Sequence, residues 1–219
     1  MVLREIQDRY SIRKYTDQIP DDNLIDEILE AARLAPSWVN VQPWHFIVIK
    51  DKKTKELLSK LSYDQPHVAQ APVVIACCGD ISAWESEKIR KILETRPGIT
   101  QERINSLLDQ PSFNPNLIGK EAIIFRTLEE LTYSIAYMTL EIEKLGLGAC
   151  IIGRMGNELT GSLPEVYTKV REILELPDHL MLMTLLTIGY PDLSIKKPKK
   201  IRKKPEEVIS YEKYGKKRK

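Results

Sequence analysis

The sequence predicts an α+β fold in one domain, and two observations lead to that prediction. Helical patterns come first along the chain, and strand patterns mixed with helices follow without a regular alternation of strand and helix. The 219 residues are 42% apolar and 29% charged, a composition typical of an ordered protein with one core. Because there is no internal repeat and no low-complexity linker before the lysine-rich end, we expect residues 1–219 to form a single domain.

Two helices are predicted near the start of the chain. A short amphipathic helix should turn Leu3 and Ile6 toward the core and end near Arg9. A second helix, over residues 22–35, follows from apolar residues that recur at helical spacing. Pro36 should end it, because proline disfavours helical backbone at the residue before it.

Two more helices are predicted in the second half of the chain. Apolar residues over 127–145 step by three and four, which is the clearest helical pattern in the sequence. Thr127 and Glu130 have the spacing of a capping box, and Gly146 should end this helix. So regular a stripe suits the central helix of a dimer or a plain core helix. A fourth helix should begin at a second capping box, over residues 162–165.

Three apolar runs predict strands. Residues 45–50 and 72–78 are apolar on both faces, so we expect them inside a sheet that is covered on each side. Residues 181–188 form the third run. Residues 82–121 differ from these runs, since they are polar and contain three prolines and many charges. We interpret them as a lid or surface excursion that is helical in places.

Several classes of protein are excluded by what the sequence lacks. No run approaches the roughly 18 consecutive apolar residues of a membrane span, and the first residues lack the apolar stretch of a signal peptide. We therefore expect a cytoplasmic protein without a membrane partner. Cys77, Cys78 and Cys150 have no CxxC spacing, which argues against disulfides, zinc and iron–sulfur clusters. We expect these cysteines to be small core residues, and we expect no metal site.

Positive charge is concentrated in a C-terminal arm that begins at about residue 196. Residues 196–219 contain 12 Lys or Arg and 3 Asp or Glu, whereas the rest of the chain contains 21 basic and 28 acidic residues. Such an arm suits a solvated tail, an anion-binding element or a nucleic-acid-binding patch. No recognisable nucleic-acid-reading motif accompanies it, so we expect no nucleic-acid partner.

Arg9, Ser11 and Arg13 are the first residues with the chemistry of a binding site. Two guanidiniums four residues apart, with a hydroxyl between them, suit a phosphate, because arginine binds phosphate oxygens bidentately and serine supplies a further donor. Arginines on an ordinary solvated surface produce the same pattern, so this segment alone does not establish a phosphate site.

A polar loop between two prolines joins the second predicted helix to the first predicted strand. It carries Ser37, Asn40 and Gln42 between Pro36 and Pro43. The prolines stiffen the loop, and its amide groups can meet the edge of a planar heterocycle. An ordinary polar connection has a similar composition.

The glycines between Gly146 and Gly153 resemble a dinucleotide-binding loop, but they stand in the reverse order. That loop follows a strand and opens a helix, whereas these glycines follow a helix and open an apolar run. We interpret Gly148 and Gly153 as positions where the backbone closely approaches a flat ligand.

Four segments in this order resemble the nitroreductase family of flavoproteins. They are Arg9-x-Ser-x-Arg13, Pro36-Ser-x-x-Asn-x-Gln-Pro-Trp44, Gly146-Leu-Gly…Gly153 and Gly189-Tyr-Pro…Arg202-Lys-Lys-Pro-x-Glu-Val208. The resemblance covers nearly the whole chain and is weakest over residues 82–121. It implies an α+β fold with a central, mostly antiparallel sheet flanked by helices. It also implies an intertwined homodimer with FMN between the subunits.

The resemblance implies a role for each matching residue. Arg9, Ser11 and Arg13 would hold the FMN phosphate and ribityl chain, and Tyr10 stands where relatives often have Arg or His. Ile152 and Gly153 would donate backbone N–H bonds on the N5 side of the flavin. The residues implied to come from the other subunit, near the flavin edge and ribityl chain, are Pro36, Ser37, Asn40 and Gln42. The residues implied to complete the phosphate site are Arg202 and Lys203.

The implied activity is the reduction of nitroaromatics, quinones or similar small electron acceptors with NAD(P)H. NAD(P)H would give a hydride to FMN and leave before the acceptor enters, so no catalytic side chain is required. We identify no partner for His45, His67 or His179 and expect all three to be non-catalytic. Two alternatives stay open: a specialised flavin enzyme of the superfamily (a dehalogenase or one that fragments its own flavin), and a nucleic-acid-binding protein that uses the basic arm.

Overall fold

The computed structural model describes residues 2–196 and 199–218. The helices are α1 (Arg4–Asp8), α2 (Asp22–Arg33), α3 (Lys52–Leu61), α4 (Pro66–Gln70), α5 (Ser86–Glu94), α6 (Gln101–Leu108), α7 (Lys120–Lys144), α8 (Pro164–Ile173) and α9 (Pro205–Val208). The strands are β1 (Trp44–Ile49), β2 (Val73–Asp80), β3 (Gly148–Ile152) and β4 (Leu180–Gly189). None of these helices is long and apolar enough to span a bilayer.

The strands form one antiparallel sheet in the order β1-β2-β4-β3, which confirms the predicted fold class. In its centre Ile75 of β2 lies opposite Leu186 of β4, and every residue of β4 is buried. The register between β2 and β4 shifts at Cys77 and Cys78. All three cysteines are free and buried, as predicted for small core residues.

The expectation that the first strand lies inside the sheet was wrong. Within the described residues β1 is an edge strand that pairs with β2 alone, and most of its residues are partly exposed. His45, which we expected to begin a buried strand, is exposed. The strand is apolar on both of its faces because its side chains pack into the cores on both faces of the sheet.

Helices cover both faces of the sheet. On one face α3, α4 and α8 enclose a core that includes Val74, Cys150 and Leu185. On the other face α2 and α7 pack together over a core that includes Ile75 and Leu186. The fold therefore has three layers, with the sheet between two layers of helices.

Helix α7 begins at Lys120, well before the predicted start, so the predicted capping box at Thr127 was wrong. Thr127 lies inside the helix, where its hydroxyl donates to the Ile123 carbonyl at 2.7 Å and accepts from the Trp84 indole at 2.8 Å. The predicted end was correct. Gly146 has φ 72°, and Leu147 N donates to Ile142 O at 3.0 Å, the pattern of a Schellman motif.

Two other local predictions were also wrong. Helix α8 begins at Pro164 without a side-chain cap. The Ser162 hydroxyl accepts a hydrogen bond from the Tyr63 hydroxyl at 2.9 Å. Leu3 and Ile6 are 62% and 51% exposed rather than turned toward the core. Helix α1 has only five residues, and its contact with α7 leaves both side chains outside the core of a single chain.

Residues 82–121 are more regular than their composition suggests. They contain α5 and α6, with short 3₁₀ turns at Ile81–Trp84 and Pro115–Leu117. Trp84 and other apolar side chains of this segment form a core of their own that also includes Val41. The segment therefore packs against the polar loop before β1.

Candidate functional site

The segment that carries Arg9, Ser11 and Arg13 runs along the outer edge of β3. The backbone N–H of Ile12 donates to the carbonyl of Ala149 at 2.8 Å, and Ser11 forms a parallel bridge with Ala149. A long-range backbone pairing therefore places the predicted phosphate-binding residues beside the start of β3.

Tyr15 fixes the end of this segment. Its hydroxyl donates to the Ile12 carbonyl at 2.6 Å and lies 2.7 Å from the hydroxyl oxygen of the buried Thr187. Next to it, Thr16 N donates to the carbonyl of Tyr190 at 2.9 Å. The backbone around Arg13 is thus tied to β4 as well as to β3.

Gly148 has a different role from the predicted one. A Cβ added at this position would lie 2.7 Å from Cγ1 of Ile12, so Gly148 allows Ile12 to pack on β3 and not a ligand to approach. Gly153 differs, because it is exposed and an added Cβ would meet no atom within 4 Å. The close approach of a ligand at Gly153 stays a prediction.

A cavity of about 470 Å³ opens between this segment and the residues that follow β4. That volume falls within the range of small-molecule sites. Its lining residues are Tyr10, Ser11, Ile12, Arg13, Lys14, Pro191, Asp192, Leu193, Ile195 and Lys196. Three cations face one carboxylate in this lining, so the cavity is suited to an anion.

The guanidiniums of Arg9 and Arg13 keep their hydrogen-bond donors available. Neither forms an ion pair within the part of the chain that the structure describes. Both act on Cys150: burial raises the pKa of its thiol, while Arg13, a hydrogen bond from Ser11 and Arg9 lower it. The two arginines and Ser11 therefore lie close enough to β3 to influence Cys150, and their role in binding a phosphate stays a prediction.

His67 is a candidate site residue that the sequence did not reveal. It lies in α4, is 6% exposed and has no hydrogen-bond partner for Nε2 in the part of the chain that the structure describes. Burial lowers its pKa, and the charge of Arg13 lowers it further. A buried nitrogen without a partner is uncommon in folded proteins, and this one lies within the electrostatic influence of Arg13. The sequence offered no signal for it beyond Pro66, which suits the first turn of a helix.

The predicted amide loop has a strained backbone. Val39, Asn40 and Gln42 have φ values of 55°, 67° and 50°, in the left-handed region that side chains other than glycine rarely adopt. Each such residue costs about 1–3 kcal/mol, and the surrounding structure must offset that cost. Within the loop, Gln42 N donates to Ser37 Oγ at 2.9 Å. Asn40 and Gln42 are exposed, and Pro36 is exposed as well.

A hydrogen bond and a pair of aromatic contacts, all made by Trp38, help to hold this loop to the rest of the fold. The backbone N–H of Trp38 donates to the Glu130 carboxylate of α7 at 3.1 Å. The Trp38 ring lies 4.5 Å from the Phe113 ring and 6.2 Å from the Trp84 ring, measured between centroids. A second cavity, of about 400 Å³, opens beside these aromatic rings.

The structure does not bring the amide loop and the phosphate segment together within one chain. The loop directly precedes β1, at one edge of the sheet, whereas residues 9–16 lie outside β3, at the opposite edge. Three strand spacings separate these edges, which is about 14 Å. Within a single chain the two predicted halves of the site therefore lie at opposite edges of the sheet.

Ile152 and Gly153 lie at the far end of β3. Ile152 is 1% exposed and pairs with Leu185, and its carbonyl accepts from Thr184 Oγ1 at 2.8 Å. The phosphate segment bonds to Ala149 at the other end of the strand, about 10 Å away. The same edge strand thus carries both groups, separated along its length.

The C-terminal arm reaches the N-terminal segment through Lys200. Its ammonium lies 4.4 Å from the centre of the Tyr10 ring and donates to the carbonyl of Gln7. Arg202 and Lys203 are exposed, and Arg202 donates to the carbonyl of Ile201. Among the described residues of the arm, Lys196 and Lys200 are the cations placed beside the site, and a role for Arg202 and Lys203 stays a prediction.

Comparisons with known proteins agree with this architecture. Residues 6–190 match the Nitroreductase family. The chain is 33% identical to an "NADH dehydrogenase" of Thermus thermophilus, over 84% of this chain and 83% of that protein. It is 30% identical to "FMN reductase [NAD(P)H]" of Bacillus subtilis, over 96% of this chain and 73% of that protein.

A solved structure has the same fold. The crystal structure of the putative nitroreductase YdfN from Bacillus subtilis superimposes with a TM-score of 0.78 at 21% identity, covering 94% of this chain and 96% of that one. The family match spans most of the chain, and the Bacillus subtilis relative at 30% identity is an FMN reductase that uses NAD(P)H. The chain therefore belongs to the Nitroreductase family and is an NAD(P)H-dependent oxidoreductase with FMN as its cofactor.

Proposed function

We propose that this protein is a homodimer that reduces nitroaromatics, quinones or similar electron-poor acceptors in a two-step cycle with NAD(P)H. The observation that carries the dimer is the position of the two half-sites at opposite edges of one sheet. A second copy of the chain supplies the amide loop that each phosphate segment lacks, so each dimer has two complete sites.

The cavity beside β3 fits the phosphate end of FMN. Ser11, Arg13 and Lys196 line this cavity, and Arg9 belongs to the same segment. Among the residues that the structure describes, neither arginine forms a competing ion pair. In our proposal Tyr10 lines the same site, and Arg202 and Lys203 of the arm complete it. These residues hold and orient the cofactor through charge-assisted hydrogen bonds.

The remaining contacts orient the flavin ring. The backbone N–H groups of Ile152 and Gly153 would donate to its N5 side. The residues of a second copy that would hold its edge and ribityl chain are Pro36, Ser37, Asn40 and Gln42. Bound FMN would supply the hydride-transfer chemistry between NAD(P)H and the acceptor. The chain itself supplies binding and orientation, and no side chain has to transfer a proton.

An exposed apolar face on α7 supports the homodimer. One side of the helix packs on the sheet, yet Phe125, Leu128, Tyr133 and Tyr137 on its other side are 71%, 41%, 43% and 43% exposed. Apolar residues on both sides of a helix are typical of one that is buried by two partners. A second copy that packs on this face brings the two amide loops and phosphate segments into mutual reach.

Residues 82–121 are proposed as a lid beside the acceptor site. They supply Phe113 and Ile118 to the cavity that Trp38 of the amide loop also lines. Electron-rich aromatic faces stack favourably on flat, electron-poor rings. This lining therefore suits nitroaromatics and quinones as acceptors.

Anaerobic spectroscopy tests the proposed cycle. NAD(P)H alone should remove the absorbance of the oxidised flavin, and a nitroaromatic or quinone added later should restore it. Steady-state rates should give parallel double-reciprocal lines, because one cleft over the flavin serves both substrates in turn. Intersecting lines, or a flavin that NADH and NADPH both leave oxidised, would contradict the cycle.

A further inference from the structure

Glu130 is a buried carboxylate that forms no ion pair within the described residues. It lies on α7, is 2% exposed, and its neighbours Thr127, Leu131 and Ser134 are also buried. Burying a charged group is unfavourable unless partners compensate for the lost water. The nearby cation Arg126 bonds instead to Glu129, at 2.9 Å. Within the described residues, the hydrogen bond to the Glu130 side chain comes from the backbone N–H of Trp38.

That N–H lies at the start of the strained turn of the amide loop. Ser37 is extended, with φ −139° and ψ 155°, and Trp38 is the first residue of the turn that contains Val39 and Asn40. The bonds from Asn40 N to Ser37 O and from Gln42 N to Ser37 Oγ are internal to the loop. They shape it without attaching it to the fold.

Glu130 attaches the loop to the longest helix. Apolar contacts also attach the loop: the Trp38 ring lies against Phe113 and Trp84, and Val41 is buried in the same core. These contacts fix side chains but do not satisfy the Trp38 N–H. A carboxylate acceptor strengthens the bond to the N–H because it carries charge. Burial raises the pKa of Glu130, while the Trp38 N–H opposes that rise.

We propose that Glu130 is a positioning residue that sets the conformation in which the loop presents Asn40 and Gln42 to the flavin. It touches neither cofactor nor substrate and acts through the backbone of Trp38. The inference rests on the proposed function for its effect on FMN, but its effect on the loop is independent of any cofactor.

The first test uses the protein freed of FMN, so that it does not depend on the proposed function. Amide hydrogen exchange should show the Trp38 N–H protected in the wild-type protein. It should exchange at least about tenfold faster in Glu130→Leu, which lacks the acceptor, and remain protected in Glu130→Gln, which keeps an acceptor oxygen. Glu129→Gln, at the adjacent position, is the matched control and should match the wild type. An unprotected Trp38 N–H in the wild type overturns the proposal even if Glu130→Leu does not fold.

The second test follows FMN binding by the same variants. Glu130→Leu should weaken the affinity about tenfold or more and alter the circular dichroism of bound flavin, whereas Glu130→Gln should restore both. The proposal is overturned if a folded Glu130→Leu variant keeps the wild-type FMN affinity and flavin spectrum. It is also overturned if Glu130→Leu and Glu130→Gln lose FMN affinity equally. The two tests separate the two claims. If the exchange rate of the Trp38 N–H changes as expected but the wild type binds no FMN, the proposed function fails and the role of Glu130 in the loop stands.

Discussion

The hydroxyl of Tyr15 lies 2.7 Å from the hydroxyl of Thr187, although 172 positions separate the two residues in the chain. Thr187 is in the buried central strand β4, and Tyr15 follows the phosphate segment directly. The same tyrosine donates to the carbonyl of Ile12. This contact is the reason that a short, polar N-terminal segment has a fixed position at the sheet edge.

Replacing Tyr15 by phenylalanine should therefore loosen the phosphate segment. The Ile12 carbonyl and the buried Thr187 hydroxyl would lose a partner, which should destabilise the protein by about 1–3 kcal/mol and weaken FMN binding. Urea unfolding of the cofactor-free protein and fluorescence titration with FMN measure the two effects. Tyr63→Phe, which removes a more exposed hydroxyl bonded to Ser162, is the control and should leave FMN affinity unchanged. Unchanged stability and affinity in Tyr15→Phe would contradict this role.

Mixing two defective variants tests whether the site is shared between copies. Arg13→Ala should cost about 1.5–3 kcal/mol of FMN binding, the size of a charge-assisted hydrogen bond. Asn40→Ala should weaken binding by removing a contact from the other copy. A heterodimer of the two variants contains one intact site and one doubly defective site, because each fault falls in the same site.

The expected result is recovery of wild-type affinity in one of the two sites of each heterodimer, which is about a quarter of all sites after complete random exchange of subunits, measured by FMN titration. If Arg13 and Asn40 served one site from the same chain, each site of the heterodimer would keep one fault and no site would recover. That outcome would contradict the shared site directly.

The exposed face of α7 predicts a further result. Leu128→Lys places a charge in the proposed interface and should shift the protein from dimer toward the 25.2 kDa monomer, with loss of FMN. Ile173→Lys is the matched control, because Ile173 is similarly exposed, at 48% against 41%, but lies on α8. Light scattering after size exclusion distinguishes the species. A Leu128→Lys dimer that retains its FMN would place the interface elsewhere.

The buried His67 predicts a pH dependence. Its pKa is lowered from 6.5 in the folded chain by burial and by Arg13, so the unfolded chain binds a proton at higher pH than the folded one. Its contribution to stability is present above pH 6.5 and should be lost as the pH falls below that value. Thermal unfolding of cofactor-free wild type and His67→Gln should show the wild type losing stability relative to the variant from pH 6.5 to 5. A constant difference would show that His67 is not the cause.

The elements with strong periodicity were predictable, and those that depend on long-range contacts were not. Strands β2 and β4 and the end of α7 were predicted because apolar runs and Gly146 encode them locally. The capping box at Thr127 failed because α7 begins at Lys120 and Thr127 lies inside it, where its hydroxyl bonds to Trp84, a partner far away in sequence. The edge position of β1 was equally hidden, since both of its faces carry apolar residues.

The site shows the same division. The chemistry of Arg9, Ser11 and Arg13 was evident from residue types, but their pairing with Ala149 was not. Val39 in the left-handed region could not be predicted, because β-branched residues avoid that region and only the surrounding fold imposes it. The buried His67 and Glu130 were missed for a related reason: burial of a polar residue depends on what packs over it.

The separation of the two half-sites has a consequence for how the enzyme acquires its cofactor. If each flavin needs residues of two chains, cofactor occupancy depends on protein concentration as well as on FMN concentration, and FMN in turn links the subunits by mass action. Dilution should release flavin, and excess flavin should oppose dissociation of the subunits. A newly synthesised chain then becomes competent for redox chemistry only after it has met a second one, so the cell's supply of active enzyme rises more steeply than its supply of polypeptide.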